Sequence, residues 1–198
     1  MSTHTISPRA DGTEAVDDVF APLQGQVADA ELGELRTCPI LNPLQRTVLT
    51  LISLGHTHRG TATLLGGRLH AVTQALNYAD QKLKSGGRTP ALLHAAYRHP
   101  DYPLPLPRGT EPEEQPLVLD EIERAVLDAY ATGVTLRRLA ESRRWPTHHL
   151  TPVNRNLLGK LAARTAAHGV RRAWELRIYT RENSPATPEA AARKTPWG

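Results

Sequence analysis

Two close histidine pairs, His56 with His58 and His148 with His149, and a single thiol, Cys38, are the side chains of this sequence best suited to metal or redox chemistry. A zinc site on a helix needs histidines four positions apart with Cys or carboxylate company, because the ligands must converge on one tetrahedron. Neither pair has that spacing or company, so no metal site is expected. Cys38 has no second cysteine for an internal disulfide, which agrees with a reducing compartment, and it reads as a small apolar filler. The chain contains no P-loop, no Gly-x-Ser-x-Gly and no dinucleotide fingerprint. It is therefore expected to be neither an enzyme nor a cofactor carrier.

What remains is charge, and charge is segmental. Residues 1–40 carry two Arg against seven acids, whereas residues 41–100 carry seven Lys/Arg against one Asp. Residues 101–116 are acidic again, with four acids against one Arg, and residues 117–182 hold twelve basic against seven acidic residues. Two basic modules behind an acidic arm and an acidic linker suit contact with phosphates, with solvated basic helix faces as the plainer alternative. In the triplet Arg143-Arg144-Trp145 an Arg can lie on phosphate with the indole packed beneath it, or the Trp can simply belong to the core. The N-terminus lacks the basic-then-apolar layout of a signal peptide, and no apolar run approaches a membrane span, so a cytoplasmic protein is expected.

The elements that position these charges repeat. LNPLQRTVLTLISLG at residues 41–55 returns as LDEIERAVLDAYATG at residues 119–133, with Leu, Arg, Val-Leu and the closing Gly all 78 positions on. Val48, Leu49 and Ile52 recur at helical spacing after an Asn42-Pro43 start, and Gly55 is placed to stop the helix. Thr57 caps a short second helix, Gly66-Gly67 turns, and Arg68–Lys84 and Thr89–Tyr97 read as the third and fourth helices. The second copy reads as Asp120–Thr132, Thr135–Arg143, a third helix ending near Ala163, and Ala166–Tyr179. Six prolines between 99 and 116 exclude a helix interior or central strand there, leaving a semi-rigid linker. The expected fold is all-α: an acidic arm 1–36 holding at most one short helix, a four-helix domain 37–98, the linker 99–116, a second four-helix domain 117–182, and a flexible tail 183–198.

In its order of residues the repeat resembles the C-terminal helix-turn-helix domain of LuxR-type (GerE-like) regulators. Leu41, Pro43, Val48, Leu49, Leu51, Gly55, Ala62, Leu65, Gly66, Val72, Lys82 and Leu83 match that pattern in copy one. Leu119, Val126, Leu127, Gly133, Leu139, Ala140, Glu141, Lys160 and Leu161 match it in copy two. The ending KLAARTAAHGVRRAWEL is similar to that of actinobacterial members. The departures are Gln45 where the family usually has an acid, Gly60 inside the second helix, Thr73 where Lys is frequent, and Pro152 within the third helix of copy two. Because proline is tolerated in a first turn, Thr151 is expected to cap, and Pro152 to begin, a late and shortened third helix.

The resemblance implies double-stranded DNA as partner, with the third helix entering the major groove. Carried over by position, the base-reading candidates are Arg68, His70, Thr73, Gln74 and Asn77 in copy one, and Thr151, Asn154 and Arg155 in copy two. Gln and Asn suit adenine, and Thr a polar edge or a thymine methyl. The phosphate candidates are Thr57, Arg59, Lys82, Lys84 and Arg88, then Thr135, Arg137, Arg138, Arg143, Arg144 and Arg164; such contacts orient without specifying sequence. The implied function is a sequence-specific transcriptional regulator whose two unlike modules pair within the chain through their fourth helices. The linker spans roughly 55 Å when extended, ample for that pairing. The alternative is a protein-interaction adaptor or anti-regulator that holds another transcription factor or a polymerase subunit on a worn helix-turn-helix surface. A monomer or a homodimer satisfies either reading.

Overall fold

A computed structural model describes residues 40–101, 104–107 and 117–186. The expectations for the acidic arm, for Cys38 and for the tail beyond residue 186 lie outside the described residues. Within them the chain is all-helical, with eight helices and no strand: α1 (Pro43–Ser53), α2 (His58–Leu64), α3 (Leu69–Leu83), α4 (Thr89–Arg98), α5 (Glu121–Thr132), α6 (Leu136–Arg143), α7 (Thr147–Lys160) and α8 (Ala166–Glu175).

The first helix of each copy is set by the same device. Asn42 Oδ1 accepts from the Gln45 amide at 2.8 Å while Gln45 Oε1 accepts from the Asn42 amide at 3.1 Å, a reciprocal capping box that satisfies two otherwise orphaned donors. Seventy-eight residues on, Asp120 and Glu123 do the same at 2.7 and 3.0 Å. The third helix locks onto each box, with Lys82 Nζ donating to Gln45 Oε1 at 3.1 Å and Lys160 Nζ to Glu123 Oε2 at 2.7 Å. One polar junction thus fixes the register of α1 on α3 and of α5 on α7.

Thr57, Thr135 and Thr165 cap α2, α6 and α8 by accepting from the amides of Gly60, Arg138 and His168. The helices then bury Val48, Leu49, Val72, Ala79 and Leu93 in copy one and Val126, Leu127, Leu157, Leu161 and Val170 in copy two, in one continuous hydrophobic cluster. The halves meet reciprocally. The fourth helices α4 and α8 lie against each other, α8 packs on α1, and α4 packs on α5.

Two glycines permit that exchange. Gly55, at φ +94°, ends α1 where α8 begins: a Cβ there would stand 2.9 Å from His168 Nδ1 and 3.5 Å from Arg164 Cβ. Gly133, at φ +77°, ends α5 against the start of α4, where a Cβ would meet Ala91 Cβ at 3.3 Å. Each needs both the left-handed conformation and the missing side chain.

The junction is also bonded. Trp174 Nε1 donates to His94 Nδ1 at 3.3 Å, so the other ring nitrogen, Nε2, carries the proton and donates to the Pro185 carbonyl at 2.9 Å. Arg171 reaches Ser53 Oγ at 3.2 Å, and Arg98 and Arg181 donate to the carbonyls of Pro185 and His99. Residues 183–186, where a flexible tail is expected to begin, are therefore tied down through Pro185. The linker is anchored where it leaves α4, since Leu104 is buried in the shared cluster.

Copy two departs from expectation at α7. The helix begins at Thr147, not at Pro152, and runs fourteen residues with Pro152 in its interior and Thr151 as an ordinary helical residue. A proline there removes a backbone bond and crowds the carbonyl four residues back, at a cost of about 3 kcal/mol. Leu150 and Leu157, seven apart and both buried, offset that cost at roughly 1.5–3 kcal/mol each. Residues 147–150, preceding the proline, complete the first turn, where the His149 amide bonds the Pro146 carbonyl at 3.0 Å. At the other end α8 stops at Glu175, four residues before the expected Tyr179, and the chain turns through Arg177 at φ +56° to bury Tyr179.

Candidate nucleic-acid interface

The helical repeat of α3 buries Val72, Ala75, Leu76 and Ala79 and thereby turns His70, Thr73, Gln74 and Asn77 to solvent, with Arg68 exposed at the N-cap. His70, Gln74, Asn77 and Gln81 succeed one another at intervals of three or four, so they line one exposed stripe. Thr73 spends its hydroxyl proton on the Leu69 carbonyl at 3.1 Å, leaving its oxygen as an acceptor. Gln74 Nε2 donates to Tyr78 Oη at 3.4 Å. Tyr78, 49% exposed, and Leu69, 45% exposed, share the helix with these candidates and were not among them. An aromatic four positions after a glutamine on a polar face is the signal that points to Tyr78.

In copy two, Thr151 and Arg155 are exposed on α7, where His148, Pro152, Arg155 and Gly159 occupy the positions of His70, Gln74, Asn77 and Gln81. Asn154 is not available. It is half-buried and accepts the hydroxyl of Tyr130 on α5, so its role is to join two helices. Burial raises the Tyr130 pKa, keeping that hydroxyl a donor.

Around α3, Arg59, Arg68, Lys84 and Arg88 are exposed, against the single acid Asp80, whose carboxylate already accepts from Ser85 Oγ and the Gly87 amide. Lys82 is committed to Gln45. The oxygens of Thr57 and Thr135 accept from the helices they cap, each leaving a hydroxyl proton to donate outward. Around α7, Arg138, Arg144 and Arg164 are exposed, while Arg137 pairs with Glu141 at 3.0 Å. The Arg143 guanidinium lies 5.8 Å over the ring of Trp145, which packs against the core beneath it. Both alternatives for Trp145 thus describe one arrangement, a cation presented on a part-buried ring.

The described residues contain no group of three or more metal-ligating side chains, and His58 Nε2 lies 3.4 Å from Thr89 Oγ1. No described helix is long and apolar enough to cross a membrane. Comparison of the chain with family models, curated proteins and solved structures gives no match.

Proposed function

We propose that the protein is a cytoplasmic, sequence-specific DNA-binding regulator of transcription that presents α3 and α7 to the major groove. The observation that carries this reading is the division of labour along α3. One side is buried, while the other offers His70, Gln74 and Asn77 between exposed cations at both ends. Such a helix has paired donors and acceptors for base edges and positive charge for the flanking phosphates. The ordered likeness of both copies to LuxR-type domains supports the same conclusion. In α7 only Thr151 and Arg155 remain as readers, so the two modules recognise unlike half-sites, and Arg155 favours guanine where Asn77 favours adenine.

Exposed Leu69 and Tyr78 favour a second reading, in which α3 docks on another transcription factor or a polymerase subunit, since apolar groups on a polar face suit protein contacts. Binding to fragmented genomic DNA across a salt series, with the bound fragments sequenced, separates the two. An asymmetric motif whose affinity falls steeply with salt supports DNA reading. Weak binding with no enriched sequence transfers the assignment to the adaptor.

A further inference from the structure

Beside the reading stripe of α3 lies a polar hollow of about 80 Å³. His58 from the start of α2, Thr73 and Asn77 from α3, and Arg88 and Thr89 from the entrance to α4 line it, over a floor of Leu76 and Leu92. A single water needs about 10–15 Å³ by the same measure, so the hollow has room for a small oxyanion in place of several waters. Asp80, the one acid on the wall, accepts from Ser85 Oγ and the Gly87 amide through Oδ1, which fixes its carboxylate, and the Arg88 guanidinium on the same wall balances its charge. Of the other polar groups, the Arg88 guanidinium and the Asn77 amide can donate, and His58 and Thr89, bonded to each other at 3.4 Å, keep one further donor between them, while Thr73 offers only an acceptor.

The second module supplies an internal control. Leu136 and Leu158 stand 78 positions after His58 and Asp80, and because α8 begins one register earlier, Thr165 and Ala166 replace Arg88 and Thr89. Thr165 directs its oxygen to the His168 amide of its own helix. Module two thus lacks the imidazole and the guanidinium at the entrance to its fourth helix, while Thr151 and Arg155 stand where module one has Thr73 and Asn77.

We propose that this hollow seats one backbone phosphate of duplex DNA, held by Arg88, His58 and Thr89; the assignment rests on the DNA-binding function proposed above. It moves Thr73 and Asn77 to the border between base and backbone, since both line the seat as well as the exposed helix face. It also makes module one the anchored half of the molecule.

The test uses the full chain, nitrogen-labelled, with inorganic phosphate as probe and NMR as readout. Saturable shifts confined to the His58 ring, the Arg88 side chain and the Thr89 amide are expected, abolished by Arg88→Gln and reduced by Thr89→Val. A mixed-sequence duplex should displace the phosphate, and Arg88→Gln should lower the slope of log affinity against log salt by about one. Non-saturating shifts that fall equally on Arg59, Arg138 and Arg144 overturn the seat. Saturable phosphate binding undisturbed by a duplex that does bind overturns the DNA source and leaves a free-anion site. A seated phosphate with no duplex binding at any salt overturns the DNA-reading function itself.

Discussion

Where module one places buried Ile52 and Leu76 on its first and third helices, module two places Tyr130 and Asn154, 78 residues later and joined by a hydrogen bond. The same two helices are thus held by apolar packing in one copy and by a polar pair in the other. The contrast continues along the reading helices, where Gln74 corresponds to Pro152 and Asn77 to Arg155, and at the α4 entrance, where Arg88 corresponds to the capping Thr165. Features that build the domain are duplicated: the capping box, its lysine and the glycine stop. Features that face outward have diverged, as expected when packing constrains the interior and recognition differs between the halves.

The most disruptive way to break this comparison is at the shared glycines. Gly55→Ala forces a methyl to 2.9 Å from the His168 ring at positive φ and should cost about 3 kcal/mol, with Gly133→Ala costing about 2 kcal/mol. Urea unfolding of each variant measures both; equal, negligible losses would mean that α4 and α8 do not depend on these approaches.

Acid should weaken the junction itself. Burial lowers the His94 pKa from its ordinary 6.5 to about 4, with Arg98 adding to the depression and the Pro185 carbonyl and Asp128 opposing it. The unfolded chain therefore binds the proton more readily, so stability present above pH 6.5 is lost as pH falls toward 4, by roughly 3 kcal/mol in all. His168, also lowered chiefly by burial, acts in the same direction. His94→Gln should flatten this dependence between pH 6.5 and 4; an unchanged slope would remove His94 as its source.

Making module two more like module one sharpens the comparison at smaller amplitude. Pro152→Gln restores a backbone donor inside α7 and should raise stability by about 2 kcal/mol; a loss instead would show that the helix requires the proline. Tyr130→Phe should cost about 1 kcal/mol by leaving the half-buried Asn154 without its donor. The double change Tyr130→Ile with Asn154→Leu should recover much of it, as a thermal melt would show. No recovery would mean that the two interfaces differ by more than this pair.

Local signals in the chain carried far because short-range physics sets them. Asn42, Thr57, Asp120 and Thr135 cap where their side chains can reach an amide three residues on, and Gly55 and Gly133 stop helices through backbone freedom alone. The exposed readers of α3 were legible for the same reason, since periodicity dictates which positions face outward. Pro152 was misleading because its propensity is local, whereas the burial of Leu150 and Leu157 that overrides it comes from other helices. Asn154 misled similarly: nothing near it in sequence announces Tyr130, twenty-four residues earlier.

By itself, then, the sequence determined the helical class, the duplication and most helix ends, all consequences of spacing and capping within a few residues. Only the tertiary structure decided that α8 crosses to α1 and α4 to α5 around one core, that His94 and Pro185 fasten the halves, and that a hollow opens among α2, α3 and α4 of module one. Those features depend on residues far apart in the chain, whose meeting is chosen by total buried surface rather than by any neighbour.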